Sequence, residues 1–337
     1  MKEVIMMILQ EPLQQKVEQY IDGYKQLKSA LKWKVSDKIL MMVASIYVVN
    51  NKALNISQFT ELSDYIKSQV GLLSTLRGYQ RFTIAAMLDV RFKNPKEKFQ
   101  EFIDLYEKLI QGGFKRDSFS YIAAMVLLTN DPDESDHSES IERALAIYKG
   151  MKAQHFFLTS TVDYPLAVLL AKVDTDKQKL LDLTETYYNE LSKNGFRKGN
   201  DLQFLSHILS LQYEEKPNVL IERSLNILDR LKQSRRRLKT MHYPEVGLLA
   251  LLEDGIQEID FVLKLEDQLN NEKSFRWHKD MNFIMAVNFL MTDKMKESMI
   301  LETGIFTTFE ALMQAQQAAM IAAVTSVSVA SSNTNTN

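Results

Sequence analysis

The chain has 337 residues, 45% hydrophobic and 25% charged, a balance typical of globular proteins and unlike that of disordered or membrane-embedded chains. With 41 basic and 43 acidic residues the formal charge is −2, so no charge excess points to nucleic acid or an anionic membrane. The absence of cysteine excludes disulfides, thiol nucleophiles and cysteine-ligated metals. Glycine (11) and proline (6) are scarce, whereas folds with many tight turns need both. This composition predicts an all-α protein.

The N-terminal residues and the apolar segments predict neither a signal peptide nor a membrane span. The apolar run at 4–9 follows a neutral start and is too short for a signal peptide. No run reaches the roughly 18 apolar residues of a transmembrane helix. The Ala-rich segment 311–330 comes closest, but glutamine, threonine and serine interrupt it. We therefore expect a cytoplasmic protein that does not use a membrane.

Two series of residues recur with the same spacing of about 41 residues, which indicates an internal repeat. The first series consists of tyrosines: Tyr24, Tyr65, Tyr106, Tyr148 and Tyr188. The second consists of small residues among large apolar ones: Ala44, Ala85, Ala123, Ala167, Ser206, Gly247 and Ala286. Because two independent series share one period, chance is a poor explanation, and the chain is predicted to hold about seven repeats.

Each repeat is predicted to be a pair of helices of different character. The first helices are amphipathic, with apolar residues at i, i+3, i+4 and i+7. They are expected at 13–31, 57–70, 95–111, 138–153, 176–193, 217–233 and 256–270. The second helices are apolar nearly all round and need cover on most sides. They are expected at 36–50, 76–92, 117–130, 163–173, 201–213, 243–253 and 279–291.

A helix pair cannot bury its apolar face alone, so neighbouring pairs are expected to stack. A period of about 41 residues lies in the range of HEAT and armadillo repeats. We therefore predict a single α-solenoid domain over residues 1–330, with 306–325 as a C-terminal capping helix. The polar residues 331–337 are expected to form a disordered tail. A compact all-α bundle with degenerate repeats is the alternative.

Charge is distributed differently in the two kinds of predicted turn. Cations follow the first helices and anions precede them, an arrangement that complements the helix macrodipole. The alternative is a basic edge that binds phosphate or nucleic acid, although few aromatics are interleaved there to stack on bases. The candidates for this edge are Arg197, Lys198, Arg235, Arg236 and Arg237.

A second set of candidates consists of polar residues that enter the second helices of three consecutive repeats. They are Asp163, Tyr164, Gln203, His207, His242 and Tyr243. Polar groups on an apolar row cost stability unless they are satisfied or used. We therefore expect them to line a polar strip in a concave groove, for an extended peptide or a small polar molecule. The alternative is that Asp163 is a helix N-cap and His207 a core histidine.

The segment 195–200 resembles a phosphate loop only superficially, because it lacks GxxxxGK[ST] and no strand precedes it. Gly195 is instead predicted to be the C′ residue of a helix, with positive φ. His207, His242 and His278 lie in consecutive repeats, but HExxH and i, i+4 histidine pairs are absent from the sequence. We expect no metal, no cofactor and no catalytic residue.

Three blocks of sequence carry a resemblance to a known family. They are 155–171, which begins His-Phe-Phe-Leu-Thr, 195–209, which begins Gly-Phe-Arg-Lys-Gly-Asn, and the Ala-rich end 314–320. They resemble a family of Firmicutes proteins, the domain of unknown function numbered four thousand and three, over most of the chain. The resemblance implies a bacterial cytoplasmic protein and brings no known activity or catalytic residue.

These observations favour a non-enzymatic binding scaffold that recognises a protein segment or peptide, because solenoids present long concave surfaces. An enzyme with a polar site around His207 is one alternative, with Asp163, Tyr164 and His242 as further candidates. A nucleic-acid binder that uses the basic edge is the other. Phosphate contacts lose affinity steeply with salt and apolar contacts do not, which distinguishes the last alternative.

Overall fold

The structure, a computed structural model, describes residues 10–31, 35–72, 74–130, 136–234, 238–297 and 312–313. Regular structure in these residues is α-helix with three short 3₁₀ turns, and no strand occurs in them, which confirms the all-α class. The α-helices are α1 Gln10–Leu31, α2 Asp37–Val49, α3 Ile56–Gln69, α4 Gln80–Arg91, α5 Pro95–Gln111, α6 Ser118–Asn130, α7 Ser138–Gln154, α8 Tyr164–Ala171, α9 Lys177–Lys193, α10 Asn200–Ser210, α11 Pro217–Ser234, α12 Tyr243–Ala250, α13 Ile259–Asn271 and α14 Lys279–Glu297.

The helix boundaries match the sequence-based expectation to within three residues, except at the start of α4 and the end of α14. The helix expected from residue 76 begins at Gln80, because a 3₁₀ turn at Thr75–Arg77 comes first. The helix expected at 243–253 ends at Ala250, where a series of turns begins. The last helix continues past residue 291 to Glu297.

The described chain divides into two compact units. The first unit contains α1–α6, and residues 295–297 and 312–313 are assigned to it, while the second unit comprises residues 138–294. The single domain expected over residues 1–330 stays a prediction. The expected capping helix and tail lie outside the described residues, apart from Leu312 and Met313, which are buried.

The two predicted helix types are both present. Helix α5 is amphipathic and buries one face, formed by Phe99, Phe102, Leu105, Tyr106 and Leu109. Helices α8 and α12 bury all of their residues. A helix that is apolar on every side is stable in water only when neighbours surround it. The odd-numbered helices therefore meet solvent, and the even-numbered helices supply the core.

Helices of the same type pack side by side within each unit. In the second unit α7 packs on α8, α9 on α10 and α11 on α12. Between neighbouring pairs, α7 contacts α9, α8 contacts α10, α9 contacts α11, α10 contacts α12 and α11 contacts α13. In the first unit α1, α3 and α5 contact their partners α2, α4 and α6 in the same way. The core helices from α2 to α12 are thus each covered by their own partner and by at least one neighbouring core helix of the same unit.

Two first helices end in the same backbone motif. Gly113 after α5 and Gly195 after α9 both have φ of 109°. The residues that follow, Phe114 and Phe196, each donate their backbone N–H over 3.1 Å to a leucine carbonyl five residues earlier. This is the Schellman arrangement, which requires a residue with positive φ. The prediction that Gly195 is a helix C′ residue is confirmed.

Two second helices also begin alike. A 3₁₀ turn, Thr161–Asp163 or Thr240–His242, leads directly into a helix that starts Tyr-Pro. The helix sequences are YPLAVLLA for α8 and YPEVGLLA for α12. Proline suits the first helical turn because its missing N–H would have no partner there. The two pairs therefore share one local design at both sequence and backbone level.

We predict that Gly255→Ala destabilises the second unit. A Cβ at this position would lie 2.0 Å from the carbonyl oxygen of Leu249 and 2.9 Å from its carbonyl carbon. Because the obstacle is backbone, the turn after α12 must move, and the free energy of unfolding should fall by about 1–3 kcal/mol. Thermal denaturation followed by circular dichroism measures the loss.

Gly71→Ala is the matched control, because no atom lies within 4 Å of a Cβ built there. Its stability should stay within about 0.5 kcal/mol of the parent. Equal melting of both variants and the parent would show that the turn after α12 adapts without cost.

Candidate functional site

Hydrogen bonds link the loops of successive helix pairs along one side of the second unit. Gln203 Nε2, on α10, donates to Thr159 Oγ1 of the preceding pair's loop over 2.7 Å. The backbone N–H of Arg197 donates to the hydroxyl of Tyr243 over 3.0 Å. Lys239 Nζ donates to Asp280 at the start of α14 over 2.5 Å. We call this side the loop edge, formed by residues 155–163, 194–199, 238–242 and 272–278.

The six residues predicted to line a groove are interior residues in this structure. Each is at most 6% exposed: Asp163, Tyr164, Gln203, His207, His242 and Tyr243. These residues lie on second helices or in the 3₁₀ turns that lead into them. They are buried because the second helices are covered on all sides. Their function in ligand binding stays a prediction.

Asp163 occupies the N-cap position of α8, as the alternative interpretation predicts, but its carboxylate does not cap α8. Its Oδ2 instead accepts the backbone N–H of Ser160 over 2.8 Å, which closes a capping box around the 3₁₀ turn. Burial raises the pKa of the Asp163 carboxyl to about 6, and the bond from Ser160 opposes that rise. The protein thus holds a carboxyl group that titrates near neutral pH in its interior.

A polar cluster of three side chains lies where the loop after α7 meets α9. His155 Nε2 is 2.8 Å from Glu185 Oε2, and Glu185 Oε1 accepts a bond of 2.7 Å from Asn189. The imidazole also packs on Tyr188, with ring centroids 4.3 Å apart. Glu185 therefore fixes the orientation of a partly exposed imidazole.

His207 and Gln203 face this region one helical turn apart on α10. Burial, with a smaller effect from His155, lowers the pKa of His207 to about 3, so its imidazole is neutral at physiological pH. Among the described atoms, His207 Nδ1 and Gln203 Oε1 are buried without a hydrogen-bond partner. No group of three His, Cys, Asp or Glu in the described chain could hold a metal ion.

The remaining predicted groove residues have partners elsewhere. His242 Nε2 lies 3.3 Å from Asp280 Oδ1, and its ring meets Phe283 edge to face at 5.0 Å. Tyr243 packs on Phe196, and Tyr164 on Tyr148, both with centroids 4.7 Å apart. Tyr164 thus joins the two helices of one pair, Tyr243 contacts the loop of the preceding pair, and His242 contacts the following pair.

The predicted basic edge is only partly described. Arg197 and Lys198 are exposed, whereas Arg235, Arg236 and Arg237 lie outside the described residues. In the first unit, Arg77 Nη1 donates to the carbonyl of Val70 over 3.2 Å, at the end of α3. That cation compensates a helix C-terminus, the role that macrodipole complementarity predicts.

Large apolar side chains protrude from the loop edge, a feature that sequence reasoning missed. Phe156, Phe157 and Trp277 are 65%, 94% and 80% exposed. Lys152 Nζ lies 5.5 Å from the Phe156 ring centroid, and the Arg276 guanidinium 5.1 Å from that of Trp277. Exposed aromatics beside cations mark interaction surfaces. The adjacent phenylalanines in a loop were the available sequence signal.

Comparisons with known proteins agree with the resemblance noted in the sequence. A family model described as "Protein of unknown function (DUF4003)" matches residues 23–318. The uncharacterised protein YeaA of Bacillus subtilis (strain 168) is 42% identical over 326 residues, which cover 96% of this chain and 98% of YeaA. No solved structure matches the chain. In the described part of the chain, every helix is too short or too polar to cross a membrane.

We predict that Asp163→Asn changes the pH dependence of stability. An aspartate in the unfolded chain has a pKa of about 3.9. Since the folded-state pKa is about 6, the folded protein retains a proton between those values, and the free energy of unfolding falls as pH rises through this window. Asparagine does not titrate, so its stability relative to the parent should rise by roughly 2 kcal/mol from pH 4 to pH 7.

Urea denaturation at several pH values measures this difference. Asp174→Asn is the control, because it makes the same substitution at an exposed carboxyl group between α8 and α9. If the two variants track the parent equally across the range, the Asp163 carboxyl is not held in a desolvated state.

Proposed function

This chain belongs to the DUF4003 family, whose function is unknown, and on that premise we propose that it is a non-enzymatic scaffold that binds a protein segment. The observation that carries the proposal is the row of exposed apolar side chains on the loop edge. Loops on a rigid helical framework are where binding residues concentrate in proteins.

The exposed side chains offer binding energy. Covering a fully exposed phenylalanine contributes about 1.5–3 kcal/mol. Phe157 projects into solvent, and Phe156 packs against it edge to face with centroids 5.3 Å apart. Trp277 extends the same edge three helix pairs further along the chain. A partner that covered all three rings would gain enough to offset the cost of ordering a flexible segment.

The charges beside these rings indicate the chemistry of the partner. Lys152 and Arg276 lie over exposed aromatic rings, and Arg197 and Lys198 are exposed on the loop between them. A segment that alternates apolar side chains with carboxylates would match both features. Adjacent helices pack about 8–10 Å apart, so the segment would be extended over several pair spacings.

We also propose that the helix pairs form a repeat array of the α-solenoid type, with about seven pairs. Three observations support it: neighbouring pairs pack like helix on like, α5 and α9 share one C-terminal motif, and α8 and α12 share one N-terminal motif. The interior polar residues around His207 then belong to the scaffold, and recognition occurs at its loops. A cytoplasmic setting remains our prediction for this scaffold.

Trp277 provides a direct test of the proposed surface. The chain has two tryptophans, so Trp33→Phe leaves Trp277 as the sole tryptophan. The probe is a 15-residue peptide of alternating leucine and glutamate. We expect binding to shift the Trp277 emission to shorter wavelength, because the peptide removes the indole from water. Phe157→Ser should weaken the affinity by about tenfold, the loss of an aromatic contact worth about 1.4 kcal/mol.

Tyr213→Ser is the matched control, since Tyr213 is 36% exposed in a turn between pairs rather than on the loop edge. A lysine version of the peptide should not bind. An emission shift with anionic vesicles alone, or with single-stranded DNA and a steep salt dependence, would replace the protein partner by a membrane or a nucleic acid. Equal affinities for the Phe157 and Tyr213 variants would overturn the proposed surface.

A further inference from the structure

A separate feature is an open cleft of about 440 Å³ in the first unit, between the α3/α4 and α5/α6 pairs. Its volume is within the range of small-molecule sites. The walls that matter for recognition are formed by Gly71, Ser74, Tyr106, Glu107, Arg116 and Tyr121. The predicted site residues all lie in the second unit, so this cleft is independent of them.

The back of the cleft is a rigid pair of aromatic rings. Tyr106 of α5 and Tyr121 of α6 stack with centroids 3.9 Å apart and planes within 8° of parallel. Both residues are buried, so their positions are fixed by the packing of α5 on α6. The hydroxyl of Tyr121 lies 3.4 Å from Ser74 Oγ, and either atom can donate. Because each ring covers one face of the other and both are buried, the pair offers the cleft little aromatic surface, and the Tyr121 hydroxyl beside Ser74 is its polar contribution.

One side of the cleft is a charged pair whose charges cancel. Arg116 donates two parallel hydrogen bonds to Glu107, of 2.7 and 2.6 Å. The bond from Arg116 keeps the pKa of the Glu107 carboxyl below its ordinary value, so both groups stay ionised. A bidentate pair of this kind holds each partner in a fixed plane. The wall presents donors and acceptors side by side, and Asp117, which also lines the cleft, adds a second acidic side chain.

We propose that this cleft binds a neutral, hydroxyl-rich ligand, a saccharide of one or two rings. Neighbouring hydroxyls of a sugar donate to a carboxylate and accept from a guanidinium, which is the pairing that Glu107 and Arg116 present. An anion gains little here, because the acidic side chains of Glu107 and Asp117 outnumber Arg116. This proposal does not depend on the peptide-binding surface of the second unit.

The experiment is ligand-observed saturation-transfer NMR on the full chain with maltose, N-acetylglucosamine and myo-inositol as probes. Inorganic phosphate and N-acetyl-alanyl-alanine amide test the anionic and peptide alternatives. We expect one of the two sugars to bind with a dissociation constant on the order of 1 mM. Tyr121→Phe, which deletes one hydroxyl and keeps the ring, should weaken that binding by about fivefold, the value of one hydrogen bond.

Tyr65→Phe is the control, because Tyr65 packs on Phe99 in the same unit and does not line the cleft. If Tyr121→Phe fails to fold, Gly71→Phe replaces it: no atom lies within 4 Å of a Cβ there, so the new ring enters open space and should abolish binding. Absence of sugar binding, tighter binding of phosphate or the dipeptide, or equal effects of the Tyr121 and Tyr65 variants would overturn the proposal.

Discussion

The requirement to cover the second helices on every side is the constraint on which the rest of the structure depends. Helices α8 and α12 have no polar face, and all of their residues are buried. Each one packs on its own amphipathic partner and on α10, the core helix of the pair between them. Because this packing uses the helix surfaces that would otherwise form a groove, our proposal places the recognition surface on the loops at the ends of the helices.

Two buried polar side chains, one in each unit, differ in whether the surrounding protein supplies them with hydrogen bonds. Asp89 in the first unit is fully buried, and it accepts bonds from Tyr47, Lys52 and Gln58 of 2.8, 3.0 and 3.2 Å. Among the described atoms, His207 Nδ1 in the second unit has no such partner. A buried polar atom without a hydrogen bond costs about 1–3 kcal/mol. Asp89 thus joins α2, α3 and α4, while His207 lowers stability and stays neutral.

The two proposed surfaces have a common structural origin. Phe157 and Trp277 lie on loops that join a first helix to a second, and Ser74 and Arg116 of the cleft lie on loops of the same kind. These loops leave the core, so their side chains are free of the packing that fixes the second helices. The chemistry of the two surfaces differs. In the second unit aromatic side chains and cations are exposed to solvent, whereas in the cleft of the first unit Arg116 is paired with Glu107 beside the stacked Tyr106 and Tyr121.

The sequence by itself determined the helical class, the alternation of amphipathic and apolar helices, and the positive φ of Gly195. These features follow from local periodicity and from the conformational preference of single residues, both of which depend only on the order of residues in the chain. Only the tertiary structure decided that His155 meets Glu185, that Tyr106 stacks on Tyr121, and that Asp163 is desolvated. Such contacts join residues on different helices, and burial depends on what covers a side chain. Phe157 was visible in the sequence, but its exposure was decided by a fold that left its loop uncovered.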